Sequence, residues 1–277
     1  MLAALGDLVE DVVVHVGGPI HIASDTVTRI ERRRGGSAAN VVAAAAASGH
    51  PARFLGQVGD DAIGEAVVAE LGRTGADVSA VRRGGRTGTI VVLVDDTGER
   101  TMLTDRAACL ELAAPERSWL DGVATLHVPF YSLTGGPLAT TAATVIGWAH
   151  ELGVRVAIDV SSVALIDAFG PQRVVGLLEV LAPQVVFANA DEGRALAIDG
   201  PLAGALTVVK RGPDPVVVFD HDRSFTVAVP VIDRVTDTTG AGDAFAAGFL
   251  TAGAVDTPAA AAAGCAAAAL LIRSRHD

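Results

Sequence analysis

Asp237-Thr238-Thr239-Gly240-Ala241-Gly242-Asp243-Ala244-Phe245 sets two glycines and two acids in one short stretch near the C-terminal end of the chain. The pattern predicts a tight turn that opens directly into a helix. Gly240 and Gly242 can turn the backbone and present its N–H groups with no Cβ in the way. Those groups then lie at a helix N-terminus, where unpaired donors and the helix dipole together attract anions. Asp243 adds a carboxylate to the same first turn. A phosphate and a general base held in one turn suit phosphoryl transfer to a hydroxyl, where positioning and charge stabilisation supply most of the catalysis. A plain turn capped by an acid has the same residues, so the motif alone decides nothing.

A second candidate lies near the N-terminus, at Gly35-Gly36-Ser37-Ala38-Ala39-Asn40. The glycine pair lets a ligand approach the backbone closely, and Asn40 offers both a donor and an acceptor to a sugar hydroxyl. Alone, this too reads as a loop and a helix N-cap. Gly56-Gln57-Val58-Gly59-Asp60-Asp61-Ala62-Ile63-Gly64 follows. Other chemistries lack their marks. There is no G-x-x-x-x-G-K-[ST] run, no G-x-G-x-x-G after the first strand and no G-x-S-x-G elbow. His150-Glu151 is followed by Leu152-Gly153-Val154, so no H-E-x-x-H pattern exists.

The elements that must position these residues read as one α/β unit. In 277 residues, half apolar, a sizeable core can form. A net charge of −11 argues against a nucleic-acid surface, but leaves room for a local phosphate site built from backbone N–H groups. Cys109 and Cys265 make no metal-like or redox-like spacing, which suits a reducing cytoplasm. The start Met1-Leu2-Ala3-Ala4 has no basic leader, and the longest apolar run, Ala259 to Ile272, is too short to span a membrane. Cytoplasmic localisation, with neither a nucleic-acid nor a membrane partner, is the expectation.

Alternating patterns predict a mostly parallel sheet flanked by helices. Strands are expected at 2–6, 53–58, 123–128, 154–158, 185–187 and 206–209, with a late hairpin at 216–219 and 225–229. Helices are expected at 37–48, 62–73, 138–152, 172–181, 191–198, 240–251 and 258–272. Two stretches break the rhythm: 12–16 with 26–32, and 87–94 with 100–104 around a turn at Asp95-Asp96-Thr97-Gly98. They are expected to form a small antiparallel sheet that covers a cleft as a lid. Edge strands of the main sheet are the alternative.

The early G-G-x-x-x-N, Gly56–Gly64 and the late D-T-x-G-A-G-D, in this order, resemble the ribokinase-like (PfkB) family of carbohydrate kinases. The resemblance runs from about Leu5 to Leu271 and implies the following roles. Asp243 matches the catalytic base, and Gly240, Ala241 and Gly242 the anion hole. Gly6-x-x-x-x-Asp11 looks like the first sugar-binding segment, with Asp7 as the alternative to Asp11; Gly35, Gly36 and Asn40 look like the second. Asn189-Ala190-Asp191-Glu192 matches the N-x-x-E motif that organises magnesium and phosphate, Glu192 acting through water. The same segment also reads as a helix N-cap. Lys210-Arg211-Gly212 lies where the family binds nucleotide, with Gly212 and then Lys210 as the contacts, and a solvated basic turn as the competitor. Asp237 and Thr239 fall on part of a monovalent-cation site, which leaves potassium dependence open, as is a homodimer through the compact lid.

The implied reaction is transfer of the γ-phosphate of ATP, with Mg²⁺, to a hydroxyl of a small sugar under the lid. A nucleoside acceptor stays open, since Phe130 or Tyr131 at a strand end could stack on a base. Arg100 or Arg106, after the lid hairpin with Asp105, could bind a carboxylate, although a solvated lid face is the stronger expectation for them. A catalytically weak sugar or nucleotide sensor is the second class of function.

Overall fold

The computed structural model describes residues 1–96, 99–235, 237–252 and 256–275. Thr97 and Gly98 of the expected lid turn lie outside the described residues. Among those described, nine strands form one sheet in the order β13-β12-β11-β10-β9-β8-β1-β4-β5. Its parallel body comprises β11 (Leu206–Arg211), β10 (Val185–Asn189), β9 (Arg155–Asp159), β8 (Thr125–Pro129), β1 (Leu2–Leu5), β4 (Ala52–Val58) and β5 (Val81–Arg83). The hairpin β12 (Asp214–Asp220) and β13 (Arg223–Val227) continues it antiparallel. β5 has no counterpart among the expected strands, being only three residues long.

The expected lid is a separate four-stranded sheet, β3-β2-β6-β7. β2 (Val9–His15) pairs antiparallel with β3 (Arg29–Gly35), and β6 (Thr89–Val94) with β7 (Arg100–Asp105). The two hairpins meet through a parallel seam between β2 and β6. Two strands sit differently from expectation. β2 begins three residues earlier, so Asp11 belongs to the lid itself, and β3 begins at Arg29 rather than Thr26 and runs on to Gly35. β3 reads Arg-Ile-Glu-Arg-Arg-Arg-Gly, a charged run with no apolar alternation to mark its bounds.

Helices cover both faces of the large sheet. α1 (Ser37–Ala47), α2 (Ala62–Gly72), α7 (Ala241–Thr251) and α8 (Thr257–Arg273) pack on one apolar cluster. α3 (Gly136–Glu151), α4 (Val163–Phe169) and α5 (Pro171–Leu181) pack on the other, and α6 (Ala190–Ala195) follows β10. α4 was not expected; its seven residues are too few for a helical period to emerge.

α7 matters most, because its first turn carries Asp243. It is anchored by Phe245 and Phe249, which stack at 6.2 Å, and by the edge of Phe187 from β10, 5.3 Å from Phe249. α8 crosses it closely because glycines stand at the crossing. A Cβ on Gly248 would meet the Ala263 carbonyl oxygen at 2.7 Å and the Ala267 Cβ at 2.8 Å. Gly248→Ala would gain about 1 kcal/mol of helix propensity but force two backbones apart, which typically costs about 1–3 kcal/mol. The melting temperature is therefore expected to fall by a few degrees, and an unchanged or raised value would show that the helices do not touch there.

Candidate active site

The parallel strands end in the candidate residues. β1 leads into Gly6 and Asp7, β8 into Phe130 and Tyr131, β9 ends at Asp159, β10 at Asn189 and β11 at Lys210-Arg211. Ligands in α/β folds bind at these carboxyl ends. The N-termini of α1, α6 and α7 point to the same place, and the lid strands β2, β6 and β7 add Asp11, Ile90, Val92 and Met102. Together they enclose a cavity of about 980 Å³, at the upper end of the range for small-molecule sites.

Asp243 lines this cavity. Its Oδ1 accepts a hydrogen bond from Ser37 Oγ at 2.6 Å, and its Oδ2 one from Asn40 Nδ2 at 2.9 Å. Burial pushes its pKa up to about 6, with the Asp159 charge adding to the rise, while Ser37, Asn40 and Lys210 hold it down. Gly240 takes φ +77°, a left-handed conformation that glycine adopts without strain, and so turns the chain into α7. The N–H groups of Gly242 and Asp243 carry no hydrogen bond among the described residues, whereas that of Ala241 donates to the Thr238 carbonyl at 3.0 Å. Of the residues expected to form an anion hole, Ala241 uses its N–H to close the turn, while the N–H groups of Gly242 and of Asp243 itself stand free among the described residues.

At the lid end, Asp11 and Asp7 separate in character. Asp7 is engaged by Arg106, whose Nε and Nη2 donate to its two oxygens at 2.6 and 2.8 Å. No hydrogen bond among the described residues reaches the Asp11 carboxylate, which is 8 % exposed and lines the cavity. Burial raises its pKa to about 6 against the pull of Arg33 and Arg34. A Cβ at Gly35 would lie 2.0 Å from Asp11 Oδ1 and displace that carboxylate; at Gly36 it would lie 2.2 Å from the backbone carbonyl of Asp7. Phe130 is fully buried with its ring against the edge of Phe169 at 5.6 Å, so it is a core residue and no stacking platform. Tyr131 does line the cavity.

Arg100 and Arg106 are not a solvated lid face. Arg106 bridges Asp7 and the Tyr131 carbonyl, at 2.9 Å from the latter, and Arg100 Nη2 donates to Asp237 Oδ1 at 2.5 Å. Asp105 is exposed and paired with Arg86. Asp237 also receives Arg275, Arg33 at 3.4 Å, and both the N–H and hydroxyl of Thr239. Burial alone would raise its pKa, but the Thr239 donors and the arginines bring it down to about 2. Three guanidinium groups thus stand where the side chain of Asp237 was expected to meet a monovalent cation. The charged run of β3 concealed that partnership in sequence.

At the other end of the cavity, Asn189 and Glu192 form a reciprocal capping box. The Asn189 side chain accepts from the N–H groups of Asp191 and Glu192, and Glu192 accepts from Asn189 N and Nδ2, both at 2.7 Å. Burial, with help from Asp159, raises Glu192 to about 7. Lys210 is no solvated basic turn, since its Nζ donates to Asp159 Oδ2 at 2.6 Å and lies 3.3 Å from where a Cβ of Gly242 would be. It therefore underlies the anion loop, while Gly212 lines the cavity beyond. Ser37, Asp159 and Arg34 were missed in sequence. Ser37 sits inside the G-G-x-x-x-N segment, but Asp159 had only its strand-end position to mark it.

The description "pfkB family carbohydrate kinase" matches residues 1–277. The chain belongs to this family. It is an ATP-dependent carbohydrate kinase, with no helix among the described residues long and apolar enough to cross a membrane. An ATP-dependent ribose-1-phosphate kinase of Halopiger xanaduensis is 33 % identical over 211 residues, 72 % of this chain and 66 % of that protein, just under two thirds of its length. Among solved structures, an adenosine kinase from Sinorhizobium meliloti superposes with TM-score 0.86 at 24 % identity, covering 98 % of this chain and 93 % of that one. A putative ribokinase II from E. coli, in complex with ATP and Mg²⁺, gives TM-score 0.81 at 19 % identity, covering 98 % and 92 %. Both share the ribokinase-like fold with this kinase.

Asp11 offers a test of the site's electrostatics. A carboxyl whose folded pKa lies above its unfolded value destabilises the fold when ionised. The penalty is absent below about 4 and complete above about 6. Two pK units correspond to about 3 kcal/mol at most. Asp11→Asn is therefore expected to raise the melting temperature at pH 7.5 and to leave it unchanged near pH 4. A pH-independent difference between variant and parent would contradict the raised pKa.

Proposed function

We propose that this kinase transfers the γ-phosphoryl group of ATP to a hydroxyl of a small sugar held by Asp11, Gly36 and Asn40, with Asp243 as general base. One observation supports this most. A single cavity holds an unpartnered buried carboxylate, Asp11, and a second carboxylate, Asp243, set among free N–H groups at a helix N-terminus. Asp11 lacks donors, and sugar hydroxyls are donors. Asp243 ionises close to the working pH, as a general base should. The N–H groups of Gly242 and Asp243, with Lys210 beneath them, would neutralise charge developing on the phosphoryl group.

ATP would lie over Asn189–Glu192 and Lys210–Gly212, with its base in the apolar slot of Val229, Val231, Ala268 and Ile272. The nearby donor set fits a water-retaining magnesium ion, because Glu192 is already hydrogen-bonded at both oxygens and Asp159 is shared with Lys210. Such an ion, when bound, would draw charge from the phosphates. The lid would exclude water when closed. We propose no potassium ion at the Asp237 side chain, given its arginine partners. The 277 residues would act as one unit in the cytoplasm. A homodimer through the lid is supported by its exposed Ile22, Val27, Ile30 and Leu103.

A nucleoside acceptor is the second reading. The roof formed by Ile90, Val92 and Met102, with Tyr131 beside it, gives a flat apolar aglycone somewhere to lie. The test is ADP release with ATP and Mg²⁺ over ribose, fructose, 2-keto-3-deoxygluconate, adenosine and other nucleosides. Asp243→Asn is expected to remove at least about a hundredfold of kcat while leaving acceptor affinity largely intact. Thermal stabilisation by ATP or an acceptor without ADP from any of them would favour the sensor instead. Equal losses of binding and turnover in Asp243→Asn would remove Asp243 from the role of base.

A further inference from the structure

We propose that Arg34 is a positioning residue for phosphoryl transfer, because its guanidinium fixes which way the Asn40 amide faces and that amide orients Asp243. The inference rests on Asp243 serving as the base. Arg34 stands at the end of β3, one residue before the glycine pair, and lies behind the cavity wall. Its Nη1 donates to Asn40 Oδ1 at 2.9 Å. A guanidinium can only donate, so the amide oxygen must face it and the amide nitrogen must face away. That nitrogen donates to Asp243 Oδ2, also at 2.9 Å, while Ser37 holds Oδ1.

Without Arg34 the amide would be held in this orientation from the Asp243 side alone, with its oxygen left without the Arg34 donor. A half-turn of the amide would set its oxygen against the carboxylate, acceptor against acceptor. The Ser37 hydroxyl would then be the only side-chain donor on Asp243. The other charged groups facing Asp243 are Asp159 from β9 and Lys210 from β11. Arg34 itself faces Glu70, Asp243 and Asp11, and its Nε is buried without a hydrogen-bond partner. A cation kept inside with one donor unmet is costly to the fold, which fits a task in the site better than a surface role.

The consequence is directional. Loss of the Asn40 donor, and of the nearby positive charge, makes ionised Asp243 less favourable and moves its titration to higher pH. Arg34→Met is expected to lower kcat by at least about tenfold at pH 7. The acid limb of kcat, and the Asp243 midpoint followed by carboxyl ¹³C NMR, should both move up. Arg34→Gln retains a donor for the amide oxygen and should recover most of kcat. In an Asn40→Ala background Arg34→Met should cost little more, since the contact it governs is gone.

A loss of kcat with no movement of the Asp243 midpoint would overturn the proposal. So would an undiminished effect in the Asn40→Ala background. If Arg34→Met does not fold, Arg34→Gln decides: a midpoint near the parent's supports the proposal, and one as high as that of Asn40→Ala overturns it. Undiminished turnover in Asp243→Asn would overturn the base assignment separately. The NMR midpoint would still report whether Arg34 acts on that carboxylate.

Discussion

A carboxylate half-buried on the cavity wall, its pKa raised to about 6, is the constraint from which the rest of the structure follows. Asp243 is taken out of water by α1, α7 and the ends of β9 and β11, which alone would leave it protonated well above the ordinary carboxylate range. Hydrogen bonds from Ser37 and Asn40 and the ammonium of Lys210 work against that penalty. Ser37 and Asn40 come from α1 and Lys210 from β11. Two segments about two hundred residues apart must therefore meet at sub-ångström tolerance, and the fold supplies this through rigid elements. α1 is alanine-rich, and α7 is built mostly from alanine and glycine around its two phenylalanines, so their backbones approach closely, and the Phe187–Phe245–Phe249 cluster fixes the depth of α7.

The lid is tied to this centre electrostatically. Its two outer strands, β3 and β7, send Arg33 and Arg100 to the same carboxylate, Asp237, at the start of the anion loop, and Arg275 joins them from beyond α8. One acid thus fastens both edges of the small sheet to the turn that would hold the transferred phosphoryl group. The seam between the hairpins is parallel, so β2 and β6 run side by side through the lid, bringing Asp11 and the apolar Ile90 and Val92 onto one cavity wall. Polar and apolar acceptor contacts therefore arise from the register of two adjacent strands.

Much of this was legible in sequence because backbone-level requirements leave marks. Glycines at 35, 36 and 240 stand where a Cβ would collide or a left-handed turn is needed, and alternating apolar runs disclosed the parallel sheet. The hidden part is long-range electrostatics. Nothing local tells that Arg100 and Arg275 seek Asp237, that Arg106 occupies Asp7 and leaves Asp11 free, or that Lys210 reaches back to Asp159. Side-chain pairing across 38 to 137 residues has no period and no spacing. The same holds for Phe130, whose burial depends on a helix, α4, too short to announce itself. That Ala241 N–H closes the turn on Thr238 is a matter of backbone geometry, and residue type does not reveal it.

The central claim, that Asp243 is a half-buried carboxylate on the cavity wall balanced at the edge of ionisation, is tested most directly by its titration. Carboxyl-labelled aspartate in the unliganded kinase, compared with Asp243→Asn to assign the resonance, would give the midpoint by ¹³C NMR. A value near 6 is expected. A midpoint at or below the ordinary value of about 4 would contradict it: Asp243 would then be a well-solvated or strongly ion-paired acid, and the Ser37–Asn40 grip would have nothing to offset.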